Sequence, residues 1–228
     1  MDSEVCCLSN EITMDVYLYD LADNPLFYEI SADTISDILA CADARVANYT
    51  KGELLIAEQD EVSDIGIILS GEAQASMLDQ SGKRFILAEL SKGSVFGDVM
   101  AASNTKRSHV TVTAITDVKV MLIPFRNAVG LQTADNRLLL NLFNVVSRKY
   151  FELQERINCI IKPTLREKIL FYLNSVSERE CRGMFHIPFS REGLAEYLNA
   201  DRSALSRELS AMKRDGLIDY YKNTFRLL

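Results

Sequence analysis

Nowhere does this 228-residue sequence approach the roughly 18–20 uninterrupted apolar residues needed to cross a bilayer, so no membrane-spanning helix is expected. Its opening segment, MDSEVCCLSNEITMD, is acidic and has no basic stretch ahead of an apolar run, which argues against a secretory leader. The expected location is therefore the cytoplasm. Histidine is scarce, with only His109 and His186. G-x-S-x-G, Walker, H-E-x-x-H and paired-carboxylate patterns are all missing, so an enzyme is not expected. Cysteine is also sparse: Cys6, Cys7, Cys41, Cys159 and Cys181 are odd in number and lack framework spacing, which excludes a disulfide scaffold. Cys6 and Cys7 are neighbours and cannot easily face one metal, so they read as ordinary thiols and no metal site is expected.

An excess of positive charge is missing as well. The net charge is −7, which at first sight opposes a nucleic-acid partner. The distribution is uneven, however. Residues 1–161 hold 13 Lys+Arg against 23 Asp+Glu, a net of −10, whereas residues 162–228 hold 12 against 9, a net of +3. An acidic module joined to a mildly basic one is implied, and only the second could approach phosphates.

With 48% hydrophobic and 25% charged residues, the chain has the composition of an ordinary well-packed protein. Between Tyr49 and Pro124 short apolar runs such as DIGIILSG, EAQASML, RFILAEL, HVTVTAI and VKVMLI alternate with Gly, Asp and Ser punctuation. Frequent β-branched residues and turn signals every 8–12 residues predict a compact β-barrel or sandwich. Asp79-Gln80-Ser81-Gly82 reads as a hairpin turn. Before Tyr49 the chain looks helical, with an amphipathic segment capped by Ser31.

Beyond Pro124 the period becomes helical. From Ala134 to Ile161 an apolar stripe runs Leu139, Leu142, Val146, Tyr150, Leu153, Ile157, Ile160. Its mean step of about 3.5 is that of a coiled-coil seam, which predicts a homodimer along this helix. The competing reading is a long helix lying on a core. Pro163 breaks the helix and provides a hinge.

The last segment reads as helix (LREKILFYLNSVSE), short strand (MFHIPF), helix (REGLAEYLN), turn, helix (RSALSRELSAMKRDG) and two β-like pieces around Lys222-Asn223. Ser190 and Asp201 suit N-caps, and Gly216 follows Lys213 and Arg214 as a C-cap. This succession is a winged helix-turn-helix, whose second helix enters the major groove. Arg202, Ser203, Ser206 and Arg207 share one face of that helix, opposite Leu205, Leu209 and Met212. Arginine suits guanine O6/N7, and serine bonds bases or phosphates. The alternative is that both arginines solvate a surface or pair with Glu208 and Glu196.

FSREGLAEYLNADRSALSRELSAMKRDGLI closely resembles the helix-turn-helix of the CRP/FNR family of bacterial regulators. Upstream, Lys51-Gly52-Glu53, IILSGEAQ, VFGDVM and RSHVTVTAITDVKVMLIP resemble that family's cyclic-nucleotide-binding β-roll, so the likeness covers about residues 20–228. The resemblance implies an α+β chain in three parts. Residues 1–132 would form an effector-sensing, jelly-roll-like double-stranded β-helix with N-terminal helices. Residues 133–162 would form a dimerisation helix and hinge, and residues 163–228 a winged helix-turn-helix. It further implies a homodimer on a palindromic operator in double-stranded DNA, half-site centres roughly 34–36 Å apart, with RNA polymerase as a further partner. The rival from another class is a cyclic-nucleotide-type module acting on a protein partner through the β-roll, which the C-terminal unit opposes.

In relatives that bind cyclic AMP, a Gly-Glu pair and an Arg-Ser/Thr pair surround ribose and cyclic phosphate. Gly97-Asp98 and Arg107-Ser108 resemble this cassette and mark an effector site for a small molecule of unknown identity. Asp98 is one methylene shorter than Glu, and His109 stands where a small residue is usual. With Thr164 at the hinge, the adenine-holding Thr-Ser pair is replaced by Phe151 and Glu152, so cyclic AMP is disfavoured. Other readings are a ligand-independent roll, with Arg107 a buried ion-pair partner of Asp98. FNR-type oxygen sensing would require several spaced N-terminal cysteines, and a haem an axial ligand; neither pattern is present.

Overall fold

The computed structural model describes residues 17–78, 84–105, 107–130, 136–180, 183–187 and 189–228. Cys6, Cys7, Cys181 and the expected turn at Asp79–Gly82 lie outside them. The chain forms two compact units, Met1–Arg148 and Lys149–Leu228.

The first unit opens with α1 (Leu18–Ala22), a 3₁₀ turn (Pro25–Phe27) and α2 (Ala32–Cys41). Ser31 caps α2 as expected, its hydroxyl accepting from the Thr34 N–H at 3.3 Å. The helix ends in a Schellman turn: Asp43 adopts φ 58°, and the N–H of Ala44 bonds the Leu39 carbonyl at 2.9 Å. Eight strands follow: β1 (Arg45–Tyr49), β2 (Leu54–Ile56), β3 (Asp64–Ser70), β4 (Ala73–Leu78), β5 (Arg84–Leu90), β6 (Val95–Phe96), β7 (Thr111–Ala114) and β8 (Val118–Pro124), with α3 (Asp98–Ala102) after β6. They make two four-stranded antiparallel sheets, ordered β1-β8-β3-β6 and β2-β7-β4-β5.

The nearly continuous apolar runs of β3 and β8 have a simple cause. Alternate side chains point to opposite faces, and both faces of this sheet are buried. Ile65, Ile67 and Leu69 of β3, with Met121 and Ile123 of β8, join the helical residues Phe27, Ile35 and Leu39 in one core cluster. Ile68 of β3, with Val118 and Val120 of β8, joins Val112, Ala114 and Phe96 in a second cluster. Space in the second cluster is tight at Gly66, where a Cβ would lie 2.3 Å from the Phe96 ring. Gly66→Ala is expected to destabilise this unit by about 1–3 kcal/mol, the usual cost of overpacking. A urea midpoint equal to that of the unaltered protein would show that the ring moves away freely.

After α4 (Phe125–Gly130) comes the long helix α5 (Arg137–Ile160). Its first turns belong to the core of the first unit: Leu138, Leu142 and Val145 pack with Leu39 and Phe27. Asn141, also buried, donates to the carbonyls of Leu26 (3.2 Å) and Tyr28 (2.8 Å). This corrects one member of the expected seam. Leu142 is only 7% exposed and faces the core, whereas Phe143, one residue on, is 70% exposed. Leu139, Tyr150, Leu153 and Ile157 are exposed, and Val146 and Ile160 are half-buried. With Phe143 in place of Leu142 the steps become a strict 4-3 alternation, a better heptad than the one read from sequence.

The second unit contains the end of α5, α6 (Leu165–Glu180), β9 (Phe185–His186), α7 (Arg191–Tyr197), α8 (Arg202–Arg214), β10 (Ile218–Tyr221) and β11 (Thr224–Leu227), with sheet order β10-β11-β9. Thr164, just after Pro163, caps α6 by accepting from the Glu167 N–H at 3.2 Å. The core joins Ile169 and Leu173 of α6, Leu194 of α7, Leu205, Leu209 and Met212 of α8, and Ile218 and Phe225 of the hairpin. Cys159 of α5 is buried in the same cluster, and burial raises its thiol pKa, which makes it a structural residue rather than a reactive thiolate. Among the described residues no helix is long and apolar enough to cross a membrane.

Candidate nucleic-acid interface and effector cassette

The turn between α7 and α8 is built by backbone geometry. Asn199 adopts φ 48°, the N–H of Ala200 bonds the Ala195 carbonyl at 2.9 Å, and that of Asn199 bonds Glu196 at 3.1 Å. These are the two bonds of a Schellman motif, with asparagine taking the left-handed position that glycine usually fills. Two residues later Asp201 caps α8, its carboxylate accepting from the N–H groups of Ser203 (2.8 Å) and Ala204 (3.1 Å) and from the Ser203 hydroxyl. The Ser203 hydroxyl bond and then these backbone bonds hold the Asp201 pKa below its ordinary value of 3.8.

The stability contributed by this cap is therefore full above about pH 3.8 and is lost as pH falls through the depressed value. Asn caps equally well but does not titrate. In acid melts the difference between the unaltered protein and Asp201→Asn is expected to shift in favour of the Asn form below that pH. Parallel curves down to pH 2 would refute a folded-state role for the charge.

Leu205, Leu209 and Met212 turn inward, and Arg202, Ser203, Ser206 and Arg207 are exposed on the other side. The Ser206 hydroxyl donates to the Arg202 carbonyl at 3.0 Å and leaves its lone pairs outward. Glu208, the expected competitor for these arginines, is already engaged: Arg166 Nε lies 2.5 Å from its Oε1, and Arg166 Nη1 lies 2.7 Å from Asp215 Oδ2. No ion pair of Arg202 or Arg207 occurs among the described residues. Gly216 ends α8 at φ 72°, and Leu217 N–H bonds the Met212 carbonyl at 3.1 Å, which completes a second Schellman turn.

The contacts of several cations around this helix are not legible in the sequence. Arg191, in the first turn of α7, sits over the rings of Tyr220 (4.9 Å) and Phe225 (5.1 Å) and donates to the Lys222 carbonyl at 2.7 Å. It ties the wing to α7, and burial lowers its pKa from the usual arginine value. Lys213 bonds Asp219 at 2.6 Å and the Tyr220 carbonyl at 3.3 Å. Lys222, at the tip of the wing, adopts φ 51° and is exposed. Tyr172, Phe189 and Tyr197 form an aromatic cluster, in which burial pushes the Tyr197 pKa up to about 12. Only contacts across many residues identify these roles.

In the first unit the two halves of the cassette flank one segment, Gln59–Asp64. Gly97 is left-handed at φ 74°, and a Cβ there would lie 2.7 Å from the Asp64 carbonyl oxygen. Asp98, which follows it, is buried. Arg107 is exposed and its Nη1 donates to the Gln59 carbonyl at 3.1 Å, so it is not the buried side chain that one reading required. Ser108 is fully buried, its N–H donating to Asp60 O at 2.9 Å and its hydroxyl to Val110 O at 2.6 Å. In the second unit Phe151 and Glu152 are both exposed, with the Phe151 ring edge-on to Tyr150 at 5.7 Å. Among the described residues no three His, Cys, Asp or Glu side chains gather to hold a metal.

Residues 46–131 match the family model of the cyclic nucleotide-binding domain, and residues 167–228 match that of the Crp-like helix-turn-helix domain. The chain is 25% identical over 201 residues to the transcriptional activator protein FnrA of Stutzerimonas stutzeri, covering 86% of this chain and 80% of that protein. The fold is shared with FixK2 from Bradyrhizobium japonicum, at a TM-score of 0.57 and 21% identity over 81% of this chain and 92% of that one. It is shared also with a CooA mutant from Carboxydothermus hydrogenoformans, at a TM-score of 0.64 and 19% identity over 92% and 90%.

Proposed function

Since the chain belongs to the CRP/FNR family of transcription regulators, we propose that it reads a two-fold symmetric operator through α8, as a homodimer joined along α5. The observation that carries this reading is the exposed face of α8. Arg202 and Arg207 are exposed on a helix whose Glu208 is held by Arg166 and whose Asp201 is occupied with the N–H groups of the first turn. Arg207 would bond guanine O6/N7, Ser206 and Ser203, whose hydroxyl hydrogens are held by the Arg202 carbonyl and by Asp201, would accept from base amino groups, and Arg202 would reach the backbone near the helix start. The apolar stripe of Leu139, Phe143, Val146, Tyr150, Leu153, Ile157 and Ile160, exposed at all but the half-buried Val146 and Ile160, supports the dimer, and a two-fold pair of reading helices suits half-sites about one DNA turn apart. RNA polymerase is the expected further partner, and the cytoplasm the expected place.

For the first unit, Gly97, Asp98, Arg107 and Ser108 form the effector cassette in this reading, with a small molecule other than cyclic AMP as the occupant. The Ser108 N–H and hydroxyl are both bonded within the protein, and Phe151 and Glu152 lack the groups that would hold adenine. The test is selection from random duplex DNA by the purified protein. An inverted repeat with half-site centres about 10–11 base pairs apart is expected, and recovery of unrelated sequences would refute operator reading.

A further inference from the structure

Arg166 lies in the first turn of α6, three residues after Pro163, and its guanidinium is shared between Glu208 of the reading helix and Asp215 at that helix's C-cap. Glu208 and Asp215 are seven residues apart, about two turns of α8, so the two bonds engage one side of the helix at two heights. One such contact off the axis opposes roll of the helix, and a second at another height on the same side opposes tilt as well. Planar guanidinium geometry suits it, since Nε and Nη1 diverge from one rigid group. Arg207 adjoins Glu208 in the chain, so any roll of α8 moves its tip across the groove, where base contacts tolerate little displacement.

We propose that Arg166 is a positioning residue for DNA reading: by holding Glu208 and Asp215 together, it fixes the rotation of α8 and thereby the aim of Arg207. The inference rests on the DNA-reading role proposed for α8. Arg166 also couples the turn after Pro163 to the reading helix, so a displacement arriving at Leu165 is passed directly to α8.

The test uses full-length Arg166→Met, Arg166→Lys and the triple variant Arg166→Met/Glu208→Gln/Asp215→Asn. Hydrogen exchange without DNA and fluorescence anisotropy on selected and random duplexes at two salt concentrations are the readouts. For Arg166→Met, exchange of the 202–214 amides is expected to accelerate by about tenfold or more. The ratio of operator to random-duplex affinity should fall by about tenfold, with the salt slope unchanged. Arg166→Lys, which presents one point charge, should lie between the two and covers the case in which the Met form does not fold. The triple variant should remain poorly selective, because neutral side chains do not restore the hold. Unchanged exchange in the Met and Lys forms overturns the proposal. So does a salt slope reduced by about 0.9 with equal loss on both duplexes, which would mark Arg166 as a phosphate contact. Full selectivity in the triple variant overturns it too, since charge neutralisation would then suffice. If the unaltered protein selects no sequence, the DNA-reading role fails, and the exchange result alone judges the hold on α8.

Discussion

Phe143→Asp combined with Leu153→Asp is expected to leave the protein monomeric at micromolar concentration and to abolish measurable operator binding. Both side chains are large, apolar and exposed, and they occupy the same 4-3 stripe on α5. A carboxylate at a desolvated seam position has no partner on the opposing helix and must be buried charged or protonated. Truncating a single central anchor of an interface costs on the order of 2 kcal/mol or more, and each substitution here occurs twice in a symmetric dimer. Sedimentation velocity measures the outcome, and a double variant that still sediments as a dimer would show that α5 is not the seam. Leu142→Asp offers the contrast. It places a charge in the core beside Leu39 and Phe27, so loss of the folded first unit is expected rather than clean dissociation.

Arg207→Ala is expected to remove specific operator binding while dimerisation and the melting temperature are preserved. A bidentate arginine–guanine contact contributes about 1–3 kcal/mol of discrimination, and a two-fold complex loses it in both half-sites. The combined effect is roughly 10²-fold or more in affinity for the selected operator. Random-duplex binding should weaken far less, because phosphate contacts from the rest of the surface remain. Equal affinity of the two proteins for the selected duplex in a gel-shift series would remove α8 from the reading role. Ser206→Ala makes a useful companion, since its hydroxyl hydrogen is already committed to the Arg202 carbonyl and only its lone pairs are available.

The features legible in the sequence share a physical origin: they are decided within a few residues. Ser31, Ser190 and Asp201 cap their helices because a short acceptor side chain ahead of an apolar period has little else to do. Gly216 ends α8 for an equally local reason. The apolar period of α5 is legible in the sequence, but not which of its members turn outward. Leu142 and Phe143 are adjacent and both apolar, so spacing alone could not tell which faces the core and which faces outward. The strongly apolar β3 is recognisable as a strand, yet its burial depends on helices packed against one face and on strands of the other sheet packed against the second. Arg166 is the extreme case. Its partners lie 42 and 49 residues downstream, and a first-turn arginine otherwise looks like any solvated cation.

The contact between Gly66 and Phe96 gives these two positions a joint constraint. The ring occupies the volume that a side chain at position 66 would need, so the pair holds one large residue in total rather than two independent ones. A methyl at 66 should become tolerable when 96 shrinks, as in Gly66→Ala with Phe96→Leu, whereas either change alone crowds or empties the same space. In homologous β-rolls that keep this strand pairing, size at the two positions should accordingly trade off, with the sum of their volumes nearly fixed while the residues themselves drift.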